Sequence, residues 1–177
     1  TVCVSVPTHR FGQENNLEKL TQRVIAHAML VLLIGLIAGI LLIFSLLDAV
    51  TLWPLPAWQV DIPGSTRGWQ AAHVGGILNG VMIACLALLM RYLDMAGKRA
   101  FWTAWGLLIT GWANTIFYWA GNFSSNRGLS VSETPFGPGD LMGAIAYIGG
   151  GSGMAFTIVA VSFIGLSAFD KSVSSED

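Results

Sequence analysis

A chain of 177 residues is about one domain long. Hydrophobic residues make up 54% of it and charged residues 11%, against roughly 25% charged in soluble proteins, so charge is too scarce to cover a water-facing surface. A net charge of −1 provides no basic stripe for a phosphate backbone and excludes nucleic acid as a partner. Cys3 and Cys85 build neither a disulfide framework nor a C-x-x-C metal site. Cys85, inside an apolar run, reads as a small packing residue.

Four apolar runs follow one another along the chain, and they predict an all-α integral membrane protein, a bundle of four transmembrane helices. Residues 1–17 form an N-terminal extension and 18–170 the membrane domain, with spans at about 24–47, 68–92, 100–121 and 140–169. Residues 171–177 form a polar tail expected to fray. The first run is too long for a signal peptide and passes into Asp48 without a small-residue cleavage site, so it is expected to be retained. Pro54, Pro56, Pro63 and Gly64 mark the first loop, Asp94 to Arg99 the second, and Asn122 to Gly139 the third. Arg10, Lys19, Arg23, Arg91, Lys98, Arg99 and Lys171 lie on the side of the termini, and Arg67 and Arg127 on the other. Positive charge marks the inner face, so both termini are expected to be cytoplasmic. Trp53, Trp58, Trp69, Trp119 and Phe123 form an outer aromatic belt, and Tyr92, Phe101, Trp102 and Trp105 an inner one.

Polar side chains within a span are costly and mark function by default. The second span carries His73 and Asn79, the third Asn114 and Tyr118, and no carboxylate or cation lies deep in any span. A proton pump or ion-coupled transporter would need such a carboxylate. Counted from the outer ends of their helices at helical rise, all four side chains fall in the outer half of the membrane. Asn114 and Tyr118, four residues apart, share a helix face. Gly76 and Gly80 lie on nearly the same face as His73. That bare surface is either a close helix-packing motif or a seat for a flat macrocycle with the imidazole as axial iron ligand. The asparagines are equally readable as interhelical hydrogen bonds, and Tyr118 as an interfacial anchor. His27, near the inner end of the first span, reads as a structural or interfacial histidine. The glycines of the fourth span, Gly143, Gly149, Gly150, Gly151 and Gly153, read as close packing. In the third loop Asp140 is placed to cap the fourth helix. Arg127 there could meet an anion such as a porphyrin propionate, a lipid phosphate, or Asp140.

The strings Gly68-Trp69-Gln70-Ala71-Ala72-His73-Val74-Gly75-Gly76-Ile77-Leu78-Asn79-Gly80 and Gly111-Trp112-Ala113-Asn114-Thr115-Ile116-Phe117-Tyr118 resemble the core signatures of the styrene oxide isomerases. The run from Asn122 to Leu129, followed by Phe136-Gly137-Pro138-Gly139-Asp140, resembles the loop of the same family, at matching spacing. The resemblance covers the chain from about residue 18 onward and leaves Thr1 to Asn16 outside it. It implies a multi-pass enzyme of the bacterial inner (cytoplasmic) membrane, a homotrimer in the lipid bilayer with haem near its subunit interfaces. It further implies a b-type haem with ferric iron held by His73, and conversion of lipophilic aryl epoxides to aldehydes. Asn79, Asn114 and Tyr118 would line the substrate pocket, with Asn79 reaching it across an interface.

The implied chemistry, a Meinwald rearrangement with a 1,2-hydride shift, is an isomerisation without net redox change. Lewis-acid iron would act on the epoxide oxygen, and a dry pocket would keep water from opening the epoxide to a diol. Two other classes compete. A membrane cytochrome carrying electrons would need a second axial ligand, for which His27 lies at the wrong depth. A haem-free four-span binder or channel would be colourless.

Overall fold

The computed structural model describes residues 8–173. Four helices dominate it: α1 (Thr8–Leu47), α2 (Thr66–Tyr92), α3 (Gly97–Asn122) and α4 (Leu141–Val173). Each boundary has a local cause. The Ser65 hydroxyl accepts the Gly68 N–H at 3.0 Å and caps α2. Asp140 does the same for α4, accepting from the Gly143 N–H at 2.6 Å, as the sequence predicts. Asp94 (φ 52°) and Gly97 (φ 61°) take left-handed backbone and turn α2 sharply into α3.

Three of the helical stretches, Asn16–Leu47, Thr66–Tyr92 and Leu141–Val173, are long and apolar enough to cross a membrane. Their outward faces carry large apolar side chains such as Leu33, Ile40, Leu78, Val81, Ile148 and Ile158, which a water-soluble surface would not tolerate in such number. The 26 residues of α3 extend about 39 Å at helical rise, but Lys98, Arg99, Asn114 and Tyr118 dilute its apolar character. The helix that carries Asn114 and Tyr118 is thus the least lipid-like.

The helices alternate in direction. Gly35 of α1 and Gly76 of α2 cross in near backbone contact, since a Cβ on Gly76 would lie 2.6 Å from Gly35 Cα. Gly80 approaches Leu32 and the Ala28 carbonyl in the same way. Bare helix surfaces that fit one another gain dispersion where lipid offers no hydrophobic drive. On the other side, α3 and α4 meet where Gly149 approaches the Ala113 carbonyl and Gly106 the Phe156 carbonyl. The seam between α2 and α3 joins these two hairpins, and α4 lies almost clear of α2. One apolar core fills the end of the bundle at the α2–α3 turn, with Ile83, Met90 and Leu107 fully buried. A smaller one, Ala38, Trp69 and Ala72, fills the opposite end, where the long loops lie.

Several expectations change. The first loop carries a two-residue antiparallel ladder, Ala49–Val50 (β1) with Trp58–Gln59 (β2), that no alternation announces. Trp69 is not an interfacial anchor: it is buried, donates from Nε1 to the Pro63 carbonyl at 3.0 Å, and meets Trp119 and Phe123 edge-on. Cys85 is exposed on the helix surface rather than packed. Helix α4 runs past 169, because Lys171 reaches back to the Tyr92 carbonyl at 2.6 Å and to Asp94 at 3.0 Å. Helix α1 begins inside the expected extension, whose residues 1–7 lie outside the described residues, as do 174–177 of the polar tail.

Candidate functional site

Asn79 and Asn114 meet within one chain. Asn79 is 8% exposed, and its Nδ2 donates to the Gly75 carbonyl at 2.8 Å. Its Oδ1 therefore faces the other way and accepts from Asn114 Nδ2 at 2.9 Å. This chain of bonds sets the flip of the Asn114 amide and leaves Asn114 Oδ1 beside Gly153 of α4, 2.5 Å from where a Cβ would stand. Asn79 is thus nearly buried behind Asn114, in the α2–α3 seam of its own chain.

The Tyr118 ring lies flat against Gly75, where any Cβ would collide with it. Asn114, Phe117 and Tyr118 form one wall of a groove of about 620 Å³ whose other wall is α4, through Tyr147, Gly150, Gly151 and Met154. Among the described residues the Tyr118 hydroxyl bonds to no other group. The same ring borders a smaller cavity of about 150 Å³ between the ends of α2 and α3, which Arg67 and Arg127 also line. Asn122 closes that cavity: its Oδ1 accepts from the Ser65 N–H at 2.8 Å and the Ser65 hydroxyl at 3.1 Å, and its buried Nδ2 has no partner.

His73 sits apart. Its Nδ1–H donates to the Gly35 carbonyl at 2.9 Å, and its ring packs on Gly39, where a Cβ would lie 2.5 Å from Nδ1. That bond fixes the tautomer and leaves Nε2 as the basic nitrogen. The bare face of Gly76 and Gly80 is covered by α1, so these two glycines serve close helix packing and offer no seat for a macrocycle. His73 and Gly75 are two residues apart and so point about 200° apart around α2. The exposed strip of Val74, Leu78 and Val81 lies between them. The four polar side chains share one half of the bundle, but the helix turn puts His73 on one flank of α2 and Tyr118 with Asn114 on the other.

His27 is structural, as expected: Trp112 Nε1 donates to its Nδ1 at 3.1 Å, and the rings meet edge to face, tying α1 to α3. Arg127 adopts left-handed backbone (φ 63°) and lays its guanidinium 4.3 Å from the centroid of the Phe136 ring. It makes no ion pair with Asp140, which is taken by backbone: Ser125 N–H at 2.6 Å as well as Gly143 N–H. Asn126, fully buried, organises the loop by donating to the carbonyls of Ser130 and Ser132 and accepting from Ser124 and Gly128. Neither Asn122 nor Asn126 is singled out by sequence reading, although asparagine beside Ser and Gly in a loop is the ordinary signal for such side-chain-to-backbone bonding.

The two N–H groups hold the Asp140 carboxyl at about 2, below its ordinary 3.8, the Ser125 amide contributing most. A depressed carboxyl stabilises the folded loop above its unfolded pKa and loses that contribution as pH falls through the folded one. Protection of the Ser125 amide, measured against its intrinsic exchange rate, should therefore be high at neutral pH and fall between about pH 4 and pH 2. In Asp140→Asn the pH step in that window should disappear.

A sequence model of a family described as styrene oxide isomerase matches residues 20–169. A styrene-oxide isomerase from Pseudomonas fluorescens is 34% identical over 125 residues, which cover 71% of this chain and 74% of that protein. The matched region takes in α2, α3, the long loop and nearly all of α4, and hence every residue of the groove. The chain is an isomerase and belongs to the styrene oxide isomerase family.

Proposed function

We propose that the protein isomerises styrene oxide and related aryl epoxides to aryl acetaldehydes within the bacterial inner membrane. All four helices span it, with both termini cytoplasmic, and residues 18–170 form one catalytic domain. The observation that carries the reading is the groove: an unpartnered tyrosine hydroxyl and an amide of fixed orientation face an apolar cavity large enough for a styrene-sized molecule.

His73 would hold a ferric haem b through Nε2, and the bound iron would supply a Lewis acid for the epoxide oxygen. Two features of the chain fit that group. The Nδ1–H bond to the Gly35 carbonyl is the outer contact that orients a metal-bound imidazole. Among the described residues no three His, Cys, Asp or Glu side chains converge, so His73 would be the protein's single histidine ligand to the group. The separation of His73 from Tyr118 around α2 supports a homotrimer in which His73 of one chain serves the groove of the next. Arg67 and Arg127, lining one cavity beside Tyr118, suit a carboxylate such as a porphyrin propionate.

The benzylic C–O bond of the epoxide breaks, and positive charge develops on the carbon that the aryl ring stabilises. A hydride then migrates from the neighbouring carbon, the oxygen electrons close the carbonyl, and no electrons are gained or lost. Tyr118 O–H and the free Asn114 N–H donate to the oxygen as its charge grows. Asn79 holds Asn114 in that orientation and acts as a positioning residue. Phe117 and Met154 help exclude the water that would trap the benzylic carbon as a diol. Purified protein should convert styrene oxide to phenylacetaldehyde and show a ferric Soret band that shifts with substrate. A colourless preparation, even after haem supplementation, that leaves the epoxide unchanged would overturn the reading.

A further inference from the structure

Glycine inside a helix weakens it, so each one in α4 requires a reason. For most of them the reason is a neighbour. A Cβ on Gly149 would lie 2.9 Å from the Ala113 carbonyl, one on Gly150 2.9 Å from Phe117, and one on Gly153 2.5 Å from Asn114. Gly151 has no such neighbour: nothing lies within 4 Å of its absent Cβ, yet it lines the groove. Close packing, the role expected for it from sequence, does not account for it within the chain. Tyr147 lies one helical turn before it and Met154 just after, so the missing side chain leaves a notch between them. Because Gly150 faces Phe117 and Gly153 faces Asn114, the notch is level with the groups that reach into the groove.

We infer that Gly151 sets the size of aryl group the groove accepts, its bare backbone being the wall against which the ring of the epoxide lies. The inference rests on the groove being the epoxide site. A side chain at 151 would project into the groove and displace substrate without displacing protein. Hydrophobic pockets discriminate by volume, on the order of 10- to 200-fold per methylene.

The test compares Gly151→Ala and Gly151→Leu with the unaltered protein, all as full chains in membranes. It measures kcat/KM for styrene oxide and its para-methyl and para-tert-butyl derivatives, with Soret absorbance per protein and cross-linked oligomer alongside. Both substitutions favour helix, and Gly165→Leu, the other α4 position with nothing within 4 Å, controls for a bulky change off the groove. The expected result is a cutoff that moves to smaller para substituents. Gly151→Leu should penalise the larger substrates at least about tenfold more than styrene oxide, Gly151→Ala should fall between, and Gly165→Leu should match the unaltered protein. An unmoved cutoff in Gly151→Leu would overturn the assignment. So would equal loss on every substrate together with loss of the Soret band or the oligomer, which would give the notch to the cofactor or to a second copy. If the unaltered protein converts none of the epoxides, the reading of the groove itself fails, an outcome distinct from both.

Discussion

Replacing His73 with alanine is expected to remove the Soret band and take isomerase activity to background, while the protein still accumulates in the membrane. The fold should survive because His73 contributes little to it. Its Nδ1–H bond to the Gly35 carbonyl at 2.9 Å is a second bond to an oxygen that α1 already satisfies within its own helical ladder. The loss should therefore be near the ordinary net worth of a hydrogen bond, about 1 kcal/mol. The α1–α2 seam is held instead by Gly35, Gly76 and Gly80, which the substitution leaves alone. Cofactor content should behave oppositely, since His27, the other histidine within an apolar span, is committed to Trp112. Added imidazole should enter the space left at position 73 and restore part of the Soret band. A His73→Ala protein that keeps its colour and its activity would remove His73 as the ligand and, with it, the proposed trimer geometry.

How much of this was legible in the sequence depended on the dimension being read. The helices were legible, because hydrophobic length and the Pro, Gly and Asp between runs are local signals. Depth was legible for the same reason: counting residues along a helix places His73, Asn79, Asn114 and Tyr118 in the same half of the membrane. Position around the helix was not. It depends on which face of α2 meets α1, a matter decided by Gly35 on Gly76 and Leu32 on Gly80, contacts between segments far apart in sequence. Hence Gly76 and Gly80 read in sequence as packing or, somewhat less readily, as a cofactor face, and the cover of α1 decides for packing. Hence also Asn79, expected across an interface, is found bonded to Asn114 in its own chain. The loop shows the same limit: Asp140 as a cap follows from its place before a helix, whereas Asn126 at its centre depends on carbonyls the turn brings round.

Changing Tyr118 to phenylalanine should lower kcat by roughly 10²- to 10³-fold, the usual cost of losing one donor aimed at a developing oxyanion. Haem content and KM for styrene oxide should change little. The ring is what the structure uses: it fills the surface that Gly75 leaves bare and packs against the small core of Ala38, Trp69 and Ala72. Phenylalanine keeps every one of those contacts. The hydroxyl is what the structure does not use, since it bonds to nothing among the described residues, while Tyr118 lines both the groove and the cavity beside Arg67 and Arg127. A hydroxyl kept at that depth without a protein partner carries a desolvation cost, which a bound epoxide oxygen would offset. The interaction strengthens as the C–O bond lengthens and charge collects on oxygen, so its loss belongs in kcat rather than in ground-state binding. Equal kinetics for Tyr118→Phe and the unaltered protein would make Tyr118 a packing residue and leave Asn114, oriented by Asn79, as the only protein donor to the opening epoxide.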